Sequence, residues 1–120
     1  MPVEGTSPAE RAGLFVERAW DHFRSREYRS TFEILRAQPW RAGRPGSDWR
    51  ERMFRAWDVE WRRLFGACDV PRRRHLVLQH YSISVLSGLA STLLLEGETA
   101  RPREGELDLL VDSLARALTE

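Results

Sequence analysis

Between Tyr81 and Leu95 the chain reads YSISVLSGLASTLLL, fifteen residues without a charged side chain, and any fold must find a place for it. A membrane is a poor place. At about 1.5 Å of rise per residue the segment reaches only ~22 Å as a helix, short of a hydrocarbon core of ~30 Å. Five of its residues are also serine or threonine. Burial against protein is the alternative, and a 120-residue chain can form one domain that hides roughly two thirds of the surface its unfolded form exposes.

Composition agrees with a globular protein: 42% of residues are hydrophobic and 31% charged. With 19 basic and 18 acidic side chains there is no overall pull toward nucleic acid or anionic lipid, so partners must be sought in local features. Every basic residue is arginine, and asparagine is absent; both fit the codon usage of a GC-rich bacterial genome. Cys68 is the single cysteine, which excludes an intrachain disulfide. The start MPVEGTSPAE has neither the basic nor the apolar part of a secretion signal, and a cytoplasmic location is expected.

Five helices and no strands are predicted, with residues 1–7 a short tail and 8–120 one helical domain. Ser7-Pro8-Ala9-Glu10 is a capping box with proline in the first turn, followed by Ala12, Phe15, Val16, Ala19 and Phe23 on one face, to about residue 24. Ser25 can cap a second helix bearing Tyr28, Phe32 and Leu35. Two prolines and two glycines between residues 38 and 47 predict a loop there. Ser47 and Asp48 then open a third helix with the stripe Met53, Phe54, Trp57, Trp61, Leu64 and Phe65, and Gly66 stands where a left-handed cap is expected. A fourth helix spans about 72–95, and a fifth begins near Arg103 with Leu107, Leu110, Val111, Leu114 and Leu118 at helical spacing.

On a helical wheel, Leu76, Leu78, Val85, Leu86, Leu89, Ala90, Leu93 and Leu94 take more than half the circumference of the fourth helix. His80, Ser84, Ser87, Gly88 and Ser91 fill the rest. A surface helix would carry charges on that second arc, so cover on both sides is expected. Small side chains allow close approach of another helix. That helix could come from the same chain or from a second copy, and the wheel leaves both open.

The phrases LFVERAWDHFRSREYRSTFEIL, WRERMFRAWDVEWRRLFG, HYSISVLSGLASTLLLEG and ELDLLVDSLARAL, in this order, resemble the C-terminal regulatory domain of TetR-type transcriptional regulators over about residues 10–119. The resemblance implies an all-α, five-helix domain in which the last two helices of two chains pair in a four-helix bundle around a two-fold axis. It implies a small-molecule effector held among the other helices. Family members read operators through an N-terminal helix-turn-helix, and nothing before Ser7 resembles one, so DNA contact is expected only through a segment this chain lacks.

The aromatic residues Trp20, Phe23, Phe54, Trp57 and Trp61 are the candidates for contact with an apolar or amphipathic ligand, since rings supply area and an indole N–H can orient. For any single ring core packing is the simpler role, and a cavity needs several acting together. His80, Tyr81 and Ser84 are the polar candidates, although the histidine and the phenol can also be satisfied inside the helix. Ser87, Gly88, Ser91, Leu107, Leu110, Leu114 and Leu118 are the expected dimer contacts.

No metal is expected, because His75 and His80 are five apart and so roughly 140° apart around a helix. Nor is a cofactor expected: no glycine-rich phosphate loop occurs, and no serine or cysteine has a histidine and a carboxylate at a spacing that assembles a nucleophile. An enzyme is therefore not expected. Arg72, Arg73 and Arg74 read as a solvated helix start, in mild conflict with the positive end of the helix dipole. The class that competes with a ligand sensor is a stand-alone helical protein whose self-association is its whole function.

Overall fold

The computed structural model describes residues 7–37, 45–96 and 103–119, and every ordered element among them is a helix. The first, α1 (Pro8–Phe23), begins as its sequence dictates. The Glu10 N–H donates to Ser7 Oγ at 3.1 Å and the Ser7 N–H to Glu10 Oε1 at 3.4 Å, while Pro8 has no N–H to leave unpaired. The helix ends where the Arg24 N–H returns to the Trp20 carbonyl at 3.0 Å. Ser25 Oγ then accepts the Tyr28 N–H at 3.1 Å, starting α2 (Arg26–Ala37).

The third helix, α3 (Pro45–Phe65), begins earlier than the expected Ser47–Asp48 start, so residues 45–47 are helix and not loop. Proline's fixed φ suits a first helical turn, and that outweighs the loop-like composition around it. Residues 38–44 of the expected loop lie outside the described residues, as do the side chains of Phe32 and Leu35. Gly66 ends α3 without the left-handed backbone expected of it. What it supplies is space: a Cβ there would lie 2.5 Å from the Arg62 carbonyl oxygen, which accepts the Gly66 N–H at 2.9 Å. After the turn come α4 (Arg72–Glu96) and α5 (Glu104–Thr119).

The central element is α1, which packs against each of the other four helices. Its face of Ala12, Phe15, Val16, Ala19, Trp20 and Phe23 is buried, together with Trp61, Leu64 and Phe65 of α3 and Leu78, Ile83, Leu86 and Ala90 of α4. The closest association is α1 with α5. Leu110, Leu114 and Leu118, expected between two copies, are 2%, 0% and 3% exposed within the chain's own core. The stripe faces α1 because an amphipathic helix on a single chain buries its apolar side against the nearest apolar partner.

Charges tie the helices at the periphery. Glu60 of α3 holds Arg18 of α1 and, at 2.5 Å, Arg63 one turn along. Hydrogen bonding to Arg63, helped by Arg18, keeps the Glu60 carboxyl below its ordinary value near 4.5. Arg103, 4% exposed, pairs with Glu96 at 2.5 Å and fastens the end of α4 to the start of α5. Arg74 donates toward the Ala117 carbonyl at 3.5 Å, near the negative end of α5, which accounts for one arginine of the basic triplet. His22 lies against the rings of Phe23, Tyr28 and Trp57, and burial there holds its imidazole below the ordinary 6.5, with Glu27 opposing the shift.

Two predictions follow from these contacts. Leu114→Ala should cost about 2–5 kcal/mol in urea unfolding, a loss independent of protein concentration because the cavity opens inside one chain. Acid should weaken the fold in two steps, since both shifted groups bind protons more readily when unfolded. The His22 contribution is complete above pH 6.5 and fades as pH falls toward its lower folded value; that of Glu60 is complete above pH 4.5 and fades below it. Thermal unfolding across this range should lose the upper step in His22→Gln and the lower one in Glu60→Gln.

Candidate functional site

A cleft of about 420 Å³ opens where the last turns of α3, the connection 66–71 and the first two turns of α4 meet. The connection is fixed by its own backbone: the Cys68 N–H donates to the Phe65 carbonyl at 2.9 Å and the Val70 N–H to the Cys68 carbonyl at 3.0 Å. From α4, Arg72, His75, Leu76 and Gln79 line the cleft at the i, i+3, i+4, i+7 spacing of one helix face. From α3 come Asp58, Trp61 and Arg62, and from the connection Gly66, Cys68 and Val70. The volume falls in the range of small-molecule sites, and the lining mixes apolar walls with a few polar groups.

The floor of the cleft is a short relay. Trp61 donates its indole N–H to His75 Nδ1 at 3.1 Å, and His75 Nε2 lies 3.2 Å from the Cys68 carbonyl oxygen. Indole is a donor only, so Nδ1 must accept, and the Nε2–H tautomer completes the chain by donating to Cys68. Both nitrogens are thereby committed, and the imidazole presents its ring rather than a free nitrogen to the cleft. At the rim Arg62 holds Asp58 at 3.0 Å, one turn apart on α3.

Of the eight expected ligand contacts, Trp61 alone lines this cleft. Trp20 and Phe23 are buried core residues, and Phe23 meets Tyr28 edge-to-face at 4.8 Å. Trp57 and Trp61 both stand edge-on to Phe15, at 5.8 and 5.2 Å, and Phe65 joins them at 5.9 Å. These rings fill one another's space, with Phe15 at the centre. Phe54 stacks on His80 at 4.6 Å and 18°, joining α3 to the outer side of α4. Tyr81, 46% exposed, and Ser84 face outward with Gly88, whose missing Cβ would meet nothing within 4 Å. Ser87, Ser91 and Leu107 are half-buried.

Four cleft residues were not anticipated as a group: Cys68, Arg72, His75 and Gln79. The helical spacing of the last three was visible, but nothing in the sequence marked their face as the side of α4 turned to Trp61. Among the described residues no three histidine, cysteine, aspartate or glutamate side chains converge as a metal would require.

Replacing His75 with alanine should cost about 1–3 kcal/mol in chemical denaturation, because it leaves the buried Trp61 N–H without its acceptor. His75→Gln, whose amide oxygen can still accept, should recover part of the loss. Compared with protein-family models, curated proteins and solved structures, the chain matches none.

Proposed function

We propose that the chain is the sensing and self-associating domain of a TetR-type bacterial transcription regulator, in which two copies meet through α4 and a small molecule biases how they meet. What supports the reading best is the outward face of α4. Val77, Tyr81, Ser84, Gly88, Ser91 and Leu95 follow one another at alternating spacings of four and three residues, the seam pattern of a helix that packs along another helix. No residue on this seam is charged, and Val77, Tyr81 and Leu95 are among the exposed large hydrophobic side chains.

The seam is also complementary to itself. Set antiparallel about a two-fold axis near Leu86, it brings Val77 opposite Leu95, Tyr81 opposite Ser91 and Ser84 opposite Gly88. Val77 meets Leu95 at either end, Tyr81 lies over the small Ser91, and Ser84 and Gly88 fall at the crossing, as a self-matching interface needs. Two hydroxyls near the crossing are satisfied within the helix: Ser91 donates to the Ser87 carbonyl and Thr92 to the Gly88 carbonyl, both at 2.9 Å.

The cleft residues Arg72, His75, Leu76 and Gln79 belong to the same helix. A ligand that fits one placement of α4 better than another would therefore shift the equilibrium between two arrangements of the pair, by no more than its difference in affinity for them. DNA reading would fall to a helix-turn-helix outside these residues.

Light scattering and sedimentation should find a dimer at micromolar concentration, and Gly88→Arg should yield a folded monomer with an unchanged helical spectrum. Leu109→Arg, on an exposed position of α5 outside the seam, should leave the dimer intact. A wild-type monomer, or a dimer indifferent to Gly88→Arg, would reject the pairing.

A further inference from the structure

The cleft contains a polar group that the fold leaves unused. Gln79 is 4% exposed and lines the cleft, yet its carboxamide makes no hydrogen bond with any described residue. No unpartnered polar side-chain atom among the described residues is sealed from solvent, so the free amide reaches the open cleft. An amide on a residue this enclosed that finds no protein partner must take its hydrogen bonds from the cleft, from water or from a ligand. Two turns earlier on the same face stands Arg72, which forms no ion pair among the described residues, Asp58 across the cleft being held by Arg62.

Trp61, Val70 and Leu76 supply apolar lining to the same cleft. The first turn of α4 carries no acidic residue, so the positive end of its dipole and Arg72 act together at the mouth. Gln79 lies seven positions along the helix from Arg72, a span of about 10 Å. We propose that the cleft binds a small organic acid of that length. Its carboxylate sits at Arg72 and the amino end of α4, its apolar body lies against Trp61, Val70 and Leu76, and a hydroxyl or amide at its far end pairs with Gln79. This rests on the ligand-sensing half of the proposed function and is independent of the self-association half.

The probe is 3-(4-hydroxyphenyl)propanoate, which has the required carboxylate, ring and distal hydroxyl, with 3-phenylpropanoate as the partner lacking the hydroxyl. Titrated into the whole ¹⁵N-labelled chain, it should shift the Trp61 indole N–H and the Gln79 side-chain NH₂ signals along one saturating curve. Arg72→Ala, an exposed change, should weaken binding by about fivefold or more, in the range of a charge-assisted contact. The wild type should favour the hydroxylated acid over 3-phenylpropanoate, and Gln79→Leu should bind the two equally. Should Gln79→Leu not fold, Arg72→Ala and the wild-type preference decide the matter.

Unshifted cleft signals at about 5 mM probe would overturn the site, since no useful affinity lies above that concentration. So would an undiminished affinity in Arg72→Ala, or a preference for the hydroxyl that survives Gln79→Leu. Saturable shifts confined to Phe15 and Trp57 would reject the cleft while leaving a ligand-sensing domain with its site elsewhere. A monomeric wild type would reject the pairing through α4 and leave the cleft untouched.

Discussion

The structure depends on one constraint, that α1 must be covered on several sides at once. A sixteen-residue helix whose buried face carries Phe15, Trp20 and Phe23 with two alanines and a valine has more apolar surface than one neighbour can hide. Four helices converge on it. The alanines, Ala12 and Ala19, are fully buried, and at such positions another helix can approach closely. Phe15 does the opposite, filling the space between α1 and α3 with a ring on which Trp57, Trp61 and Phe65 all stand edge-on. Once α1 is enclosed in this way Leu110, Leu114 and Leu118 of α5 are committed to it, and the surface left over for any partner is set by what α1 did not use.

Among the described residues most of the exposed large hydrophobic side chains are on α4. This helix buries Leu78, Ile83, Leu86 and Ala90 against the core while Val77, Tyr81 and Leu95 stay exposed, so its apolar character is spread around its circumference. A helix needs only one apolar stripe to fold onto a single domain. The second stripe and the unpaired Gln79 are both in excess of what the fold requires, and they lie on different faces of one rod. If both are occupied, as proposed, α4 is the mechanical link between them: a molecule held at its amino end acts on the crossing point several turns away without any change in the core.

Helix number, order and most boundaries were legible in the sequence, because they come from local rules. Ser7 and Glu10 cap as a pair wherever they stand, and the stripe on α1 has no other way to be buried. Position was not legible. The leucine stripe of α5 says that it must be covered but not by which helix, and the resemblance to dimeric regulators pointed to a second copy where α1 does the covering. The aromatic residues of α3 carried the same ambiguity, since a ring that lines a hollow and a ring that fills one have the same spacing. Gln79 gave no signal at all: its oddity is the absence of a partner, which exists only once the surrounding helices are in place. Gly66 was recognised as a helix end for the wrong reason, its value being room for the Arg62 carbonyl rather than a left-handed turn.

The pairing of α1 with α5 joins segments about ninety residues apart, and this sets the order in which the molecule can be completed. On a ribosome α1 emerges before α5 and stays without its principal cover until α5 has cleared the exit tunnel. At typical rates of about 5–20 residues per second that interval lasts several seconds. Throughout it α2, α3 and α4 can already cover part of α1, but the side that α5 will cover stays an oily surface, so stalled translation ahead of α5 would leave a chain prone to aggregate.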